Sequence, residues 1–198
     1  SAPGPALPTA APPPPAAARP PAARGGVRGP GNVWGSALTA ALCALLAWAI
    51  GLTSATLAGL STAQVIQLLV LGFVASLSTK LSDTSATEIG KAYGQRTFLI
   101  TTLQPVPRGT EGAVSLEGTL AGVVGSLILA VAAWGIGVIS TVGIVICAIA
   151  AFVATTLESL IGATNEKQLP KLTNDVEKKI KTLIGAEVDI ILGALLII

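Results

Sequence analysis

Charge is absent from four long stretches of this chain: residues 34–52, 61–79, 118–139 and 142–157 contain no Asp, Glu, Lys or Arg. About 20 apolar helical residues cross the hydrocarbon core of a bilayer, so stretches of this length and composition are candidate membrane spans. The last two are divided by little more than Ser140 and Thr141 and read as a tight helical hairpin. A fifth stretch, 183–198, is weaker because Glu187 and Asp189 interrupt its first half. Composition agrees, at 52% hydrophobic and only 11% charged with a mean hydropathy of +0.76. The sequence predicts an all-α fold, a polytopic transmembrane helical bundle of about five spans over residues 34–198, behind a disordered N-terminal tail, 1–33.

The tail is rich in Ala, Pro and Gly, has no apolar periodicity to bury, and carries Arg19, Arg24 and Arg28 with no acid before Asp83. That balance fits a transit remnant as well as it fits a biased composition. Ser1 in place of Met points to a processed or truncated chain. All 12 Lys and Arg residues fall in the tail, in the connection 80–117 or in the connection 158–182. With helices that alternate direction, those three segments share one side, which the positive-inside rule assigns to the cytoplasm, stroma or matrix. Cys43 and Cys147 lie within spans and read as small apolar fillers, and the lack of any His excludes imidazole catalysis and His-ligated metals.

The charged connections carry the chemistry. KLSDTSATEIGKAYG, residues 80–94, follows directly on the second span. As a helix it sets Lys80, Asp83, Thr84, Thr87, Glu88 and Lys91 within an arc of about 140°. One charge at the bilayer centre costs roughly 2.5–3.5 kcal/mol, so four must lie at the interface or line a polar cavity. In PVPRGTEGAVSLEGTLAG, residues 105–122, Pro105 and Pro107 stop any helix while Gly109 and Gly112 free the backbone to approach a ligand. Arg108 beside those glycines suits phosphate, but Glu111 and Glu117 would repel it unless a divalent cation lies between. Mg²⁺ takes one or two carboxylates plus phosphate oxygens and fits that description. Further on, Glu158 ends a span, and Asn174 with Asp175 in LTNDV form either a second metal position or a helix N-cap. No GxxxxGK[ST] motif occurs, so a nucleotide would be held by some other device.

These stretches, with ESLIGAT and the glycine-rich, basic RGGVRGPGNVWGSA upstream, resemble one family. It is the membrane-protein family of the plastid phytyl-phosphate kinase of vitamin E synthesis and transmembrane protein 19, integral membrane proteins of the domain-of-unknown-function 92 type. The resemblance implies a chloroplast membrane kinase, in the envelope or thylakoid, that transfers phosphate from a nucleoside triphosphate, CTP above others, to phytyl phosphate. Its product would be phytyl diphosphate for tocopherol synthesis. It further implies Asp83, Glu88, Glu117 and Asp175 as ligands of Mg²⁺. Asp83, Glu88, Lys91, Arg108 and Glu111 would be catalytic, and Lys80, Thr84, Gly109, Thr110, Gly112, Ser115, Glu117 and Asn174 would bind substrate or nucleotide. Expected partners are an isoprenoid lipid phosphate, the nucleotide and membrane lipids, with no nucleic acid. A lipid cytidylyltransferase and an ion or solute transporter are the competing readings. Chemistry favours a phosphate acceptor, since a monoester with a second pKa near 6 is largely dianionic at pH 7 and attacks without a base.

Overall fold

The computed structural model describes residues 30–53, 59–110 and 112–168, with side chains described for 38–53, 59–110 and 112–163. Four helices, α1 (Pro30–Thr53), α2 (Thr62–Tyr93), α3 (Leu116–Gly135) and α4 (Thr141–Gln168), form the bundle. Three of them are long and apolar enough to cross a membrane over Thr62–Tyr93, Leu116–Gly135 and Thr141–Ala163, and Leu38–Thr53 of α1 is a shorter apolar helix. The chain is therefore helical with three candidate spans among the described residues. The fifth expected stretch and most of the tail lie outside them. α1 begins at Pro30, four residues earlier than the apolar run implies, and proline is at home in the first turn of a helix, where its missing N–H has no partner to lose.

Local chemistry sets each boundary. Ser61 caps α2 in a reciprocal box: the Ser61 N–H donates to Gln64 Oε1 at 2.9 Å, and the Gln64 N–H donates to Ser61 Oγ at 3.4 Å. α2 then runs without a break through the charged segment to Tyr93, as the polar arc requires. Ser115 caps α3, its Oγ accepting from the Gly118 N–H at 3.1 Å. α3 ends in a Schellman turn, in which the Val138 N–H donates to Ala133 O at 2.9 Å and the Gly137 N–H to Trp134 O at 2.9 Å, with Gly137 at φ +78°. Ser140 starts α4 directly afterwards, accepting from the Gly143 N–H at 3.2 Å, so α3 and α4 form the expected hairpin.

A purely helical class omits one element. β1 (Thr97–Leu99) and β2 (Ala113–Ser115) pair antiparallel with Thr97 opposite Ser115 and Leu99 opposite Ala113. Residues 104–106 flank β1 on its other side, through Leu99 N–H to Gln104 O at 3.0 Å and Val106 N–H to Thr97 O at 3.0 Å. Three-residue strands fall below the length at which alternation is legible, and Pro105 and Pro107 read only as helix stops.

The packing divides the bundle into two ends. At one, Leu71, Val74, Ala75, Ala130, Ala133, Ile139, Ile146 and Cys147 close an apolar core between α2, α3 and α4. Toward the other, α3 turns Gly118, Gly122 and Gly125 onto α2. A Cβ on Gly118 would lie 2.7 Å from Ala86 O, one on Gly122 3.0 Å from Ser82 Oγ, and one on Gly125 2.9 Å from Ser85 Oγ. In lipid such close backbone approach supplies van der Waals contact where no hydrophobic drive exists. The pairing also fixes depth. α3 spans about 30 Å, only just enough to cross. Gly122, which meets Ser82, lies six residues into α3, so Asp83 sits about 9 Å inside the level at which α3 begins.

Candidate functional site

A cavity of about 370 Å³ lies at the end away from the core, between the second halves of α2 and α4, the first half of α3 and the loop leading into it. Of the two places in which the charges of α2 could be tolerated, an interface or a polar cavity, the second applies to Asp83 and Lys91, both of which line this space. Glu158 of α4 lines it too. Lys80 stands one turn from Asp83 and pairs with it, Nζ to Oδ2 at 3.7 Å, with both side chains about one-third exposed. Such a half-solvated pair contributes little stability. It does keep a cation beside the carboxylate.

Hydroxyl groups make up much of the remaining wall, and five of them have their protons committed to backbone carbonyls. Thr155 Oγ1 donates to Ala151 O at 2.8 Å, Thr156 Oγ1 to Phe152 O at 2.7 Å, and Ser159 Oγ to Thr155 O at 3.0 Å. Thr119 Oγ1 donates to Ser115 O at 2.9 Å, and Thr110 Oγ1 to Pro107 O at 2.7 Å. What these five can offer a ligand is oxygen lone pairs. With Asp83 and Glu158 the wall is rich in acceptors, and among the described residues Lys91 is the cation that lines it, with Lys80 nearby. The donor set suits a hard cation standing between carboxylates and phosphate. Among the described residues no group of three or more His, Cys, Asp or Glu could hold a metal ion.

The loop bears on the cavity through its glycines. The Thr110 N–H donates to Pro107 O at 3.3 Å, and Gly109 at φ +85° occupies the turn position that demands positive φ. Gly109 also lines the cavity with open space where a Cβ would be. Gly112, at φ +72°, has a second duty that spacing does not reveal: its backbone rests on Ala163 of α4 with no room for a side chain.

Eight of the residues singled out from the sequence thus meet at this cavity: Asp83, Thr87, Lys91, Gly109, Thr110, Gly112, Ser115 and Glu158. Arg108 does not line it; its Nη1 donates to Ala92 O at 3.4 Å, a carbonyl left open at the C-terminus of α2. Glu117 Oε1 accepts from the Gln95 N–H at 3.3 Å and ties the start of α3 to the end of α2. Thr84 and Glu88 lie on α2 outside the lining. Glu111, Asn174 and Asp175 fall outside the described residues. The rest of the α4 wall, Phe152, Thr155, Thr156 and Ser159, is what sequence reasoning did not assemble. Its signal was available as TTLES, a polar cluster at one-turn spacing inside an otherwise apolar helix.

The family described as Integral membrane protein DUF92 matches residues 16–196. An uncharacterized membrane protein of Synechocystis is 60% identical over 167 residues, covering 84% of this chain and 60% of the relative. Protein VTE6, chloroplastic, of Arabidopsis thaliana is 42% identical over 171 residues, covering 85% and 49%. An uncharacterized membrane protein of Methanocaldococcus jannaschii is 32% identical over 124 residues, covering 62% and 51%. The chain spans about half to three-fifths of the length of these relatives. No solved structure is significantly similar to it.

Proposed function

Because the chain belongs to the DUF92 family of integral membrane proteins, we propose that its polar cavity is the site of a membrane phosphotransferase acting on an isoprenoid monophosphate. The observation that carries this reading is the cavity itself. Two carboxylates, a lysine, committed hydroxyls and an open glycine turn converge at the end of the bundle where the charged connections meet. Its relation to a chloroplastic plant protein supports phytyl phosphate as acceptor and a chloroplast membrane as residence. CTP is the proposed donor, as the family resemblance implies.

The chemistry asks little of the protein beyond position and charge. A phosphate oxygen of the acceptor attacks the γ-phosphorus, the bond from that phosphorus to the bridging oxygen breaks, and the nucleoside diphosphate leaves with the electron pair. The products are the lipid diphosphate and the nucleoside diphosphate. A dianionic acceptor gives up no proton, so no general base is needed, in keeping with a chain that has no His. Asp83 and Glu158 would hold Mg²⁺, which neutralises phosphate charge when bound. Lys91, with Lys80 nearby, would draw the anionic groups into an acceptor-rich space. The backbone at Gly109 leaves room for a phosphate to come close to the main chain.

The test is an assay of the purified protein in detergent with phytyl phosphate, Mg²⁺ and CTP labelled at either the α or the γ phosphate. Label from the γ position alone should appear in phytyl diphosphate. Label from the α position in the lipid product would instead identify a cytidylyltransferase, and no lipid product with any nucleoside triphosphate would refute the reading.

A further inference from the structure

The cavity continues inward from its loop end, past Lys91 and Glu158. Ala163 of α4 lies against Gly112 of the loop, and Phe152 lines the same space eleven residues earlier on that helix. At 1.5 Å per residue this is about 16 Å deeper. On α3 the lining passes likewise from Ser115 and Thr119 to Val123. Lys91, Glu158 and the loop occupy one end, Asp83 stands farther in at about the level of Val123, and the apolar Phe152 lies at the other end. Phe152 is also 45% exposed, well within the candidate span Thr141–Ala163. One aromatic ring of the cavity wall is therefore half-exposed at a depth where the surroundings are hydrocarbon. An opening at this depth would lead sideways into lipid.

Volume gives that opening a use. About 370 Å³ stands near the lower limit of the roughly 300–1,000 Å³ that enclose drug-sized ligands. A phosphorylated head group fits there, and a long hydrocarbon chain does not fit with it. A chain forced out through the polar end would enter water, whereas one leaving past Phe152 stays in hydrocarbon, a difference of about 0.8 kcal/mol for every CH₂ kept from water.

Building on the lipid-phosphate reading above, we propose that the acceptor's hydrocarbon chain leaves the cavity sideways between α3 and α4, past Val123 and Phe152, into the bilayer. Phe152 is then a specificity-determining residue that touches the chain and not the reacting phosphates.

Photocrosslinking tests the route without requiring turnover. The full chain is reconstituted in lipid nanodiscs and irradiated with an isoprenyl monophosphate bearing a diazirine on its chain, and adducts are located by mass spectrometry. Adducts are expected at Val123, Phe152 and their neighbours on α3 and α4, suppressed by excess unlabelled isoprenyl monophosphate and not by the unphosphorylated alcohol. Adducts suppressed in this way but confined to α1, or α3–α4 labelling that the monophosphate fails to displace, would overturn the proposal. Phe152→Trp provides the second readout and, at a half-exposed position, leaves the bundle folded. It should lower kcat/KM for a long-chain monophosphate at least fivefold relative to a short prenyl monophosphate. An equal effect on both acceptors would also overturn the proposal. If wild-type protein phosphorylates neither acceptor, the kinase reading falls while the crosslinks still decide the route.

Discussion

At the scale of single residues, Asp83 shows how far one-dimensional reasoning reaches. Its place on a polar arc follows from helical periodicity alone, and that arc indeed belongs to an unbroken α2. Which other helix faces it does not follow, because the partner depends on packing between segments far apart in the chain. Glu158 was visible as a charge, but only the bundle brings it to the same cavity as Asp83. Asp83→Asn and Glu158→Gln should each reduce phosphate transfer by about 10–100-fold or more, as loss of metal-site groups commonly does, while leaving the protein in the membrane fraction. Turnover near wild type in either variant would remove that residue from the site. Arg108 presents the reverse case, with a side chain that suits phosphate and a present contact to Ala92 O. Arg108→Lys keeps the charge and loses the planar fork. It should weaken apparent nucleotide affinity if the side chain also reaches phosphate, and unchanged affinity would confine Arg108 to the end of α2.

Among the elements, the α2–α3 contact holds the charged half of α2 against the start of α3. Gly118 and Gly122 stand four residues apart in the sequence, the spacing of a small-residue pair, but their partners, Ala86, Gly90 and Ser82, cannot be read there, since spacing within one helix says nothing about the register of the next. Gly118→Leu has to displace the backbone at Ala86 and should cost about 1–3 kcal/mol, the usual range for overpacking. A lower midpoint in a detergent thermal-shift assay, with loss of activity, is the expected result. Ser115→Ala removes the cap of α3 and should cost about 1 kcal/mol, measurable in the same assay. The loop's paired strands escaped the sequence because each spans three residues, too few for a period to show. Gly109 and Gly112 stood out in the sequence as points where the backbone could approach a ligand, and the structure adds that both have positive φ.

For the molecule as a whole, hydropathy revealed the helices and the alternation of charged with uncharged connections, and so the side shared by the chemistry. It did not reveal that the polar segment sits alongside the apolar start of α3, an offset that only packing sets. The sidedness is testable with single cysteines introduced by Thr102→Cys and Val138→Cys into a Cys43→Ala, Cys147→Ala background. A membrane-impermeant maleimide should reach the two from opposite faces of sealed vesicles, and labelling of both from one face would overturn the arrangement. The turn between α3 and α4 has a mechanical consequence as well. Its two hydrogen bonds, closed on Gly137, end α3 sharply at the core end, so α4 starts at once and the far ends of both helices stand as walls of the cavity. The pair has the build of tongs. A tilt of about 5° on arms of about 20 Å, some thirteen residues of helix, parts the tips by roughly 2 Å, so a jaw seated on a stiff pivot can widen for a passing chain without disturbing the grip at its root.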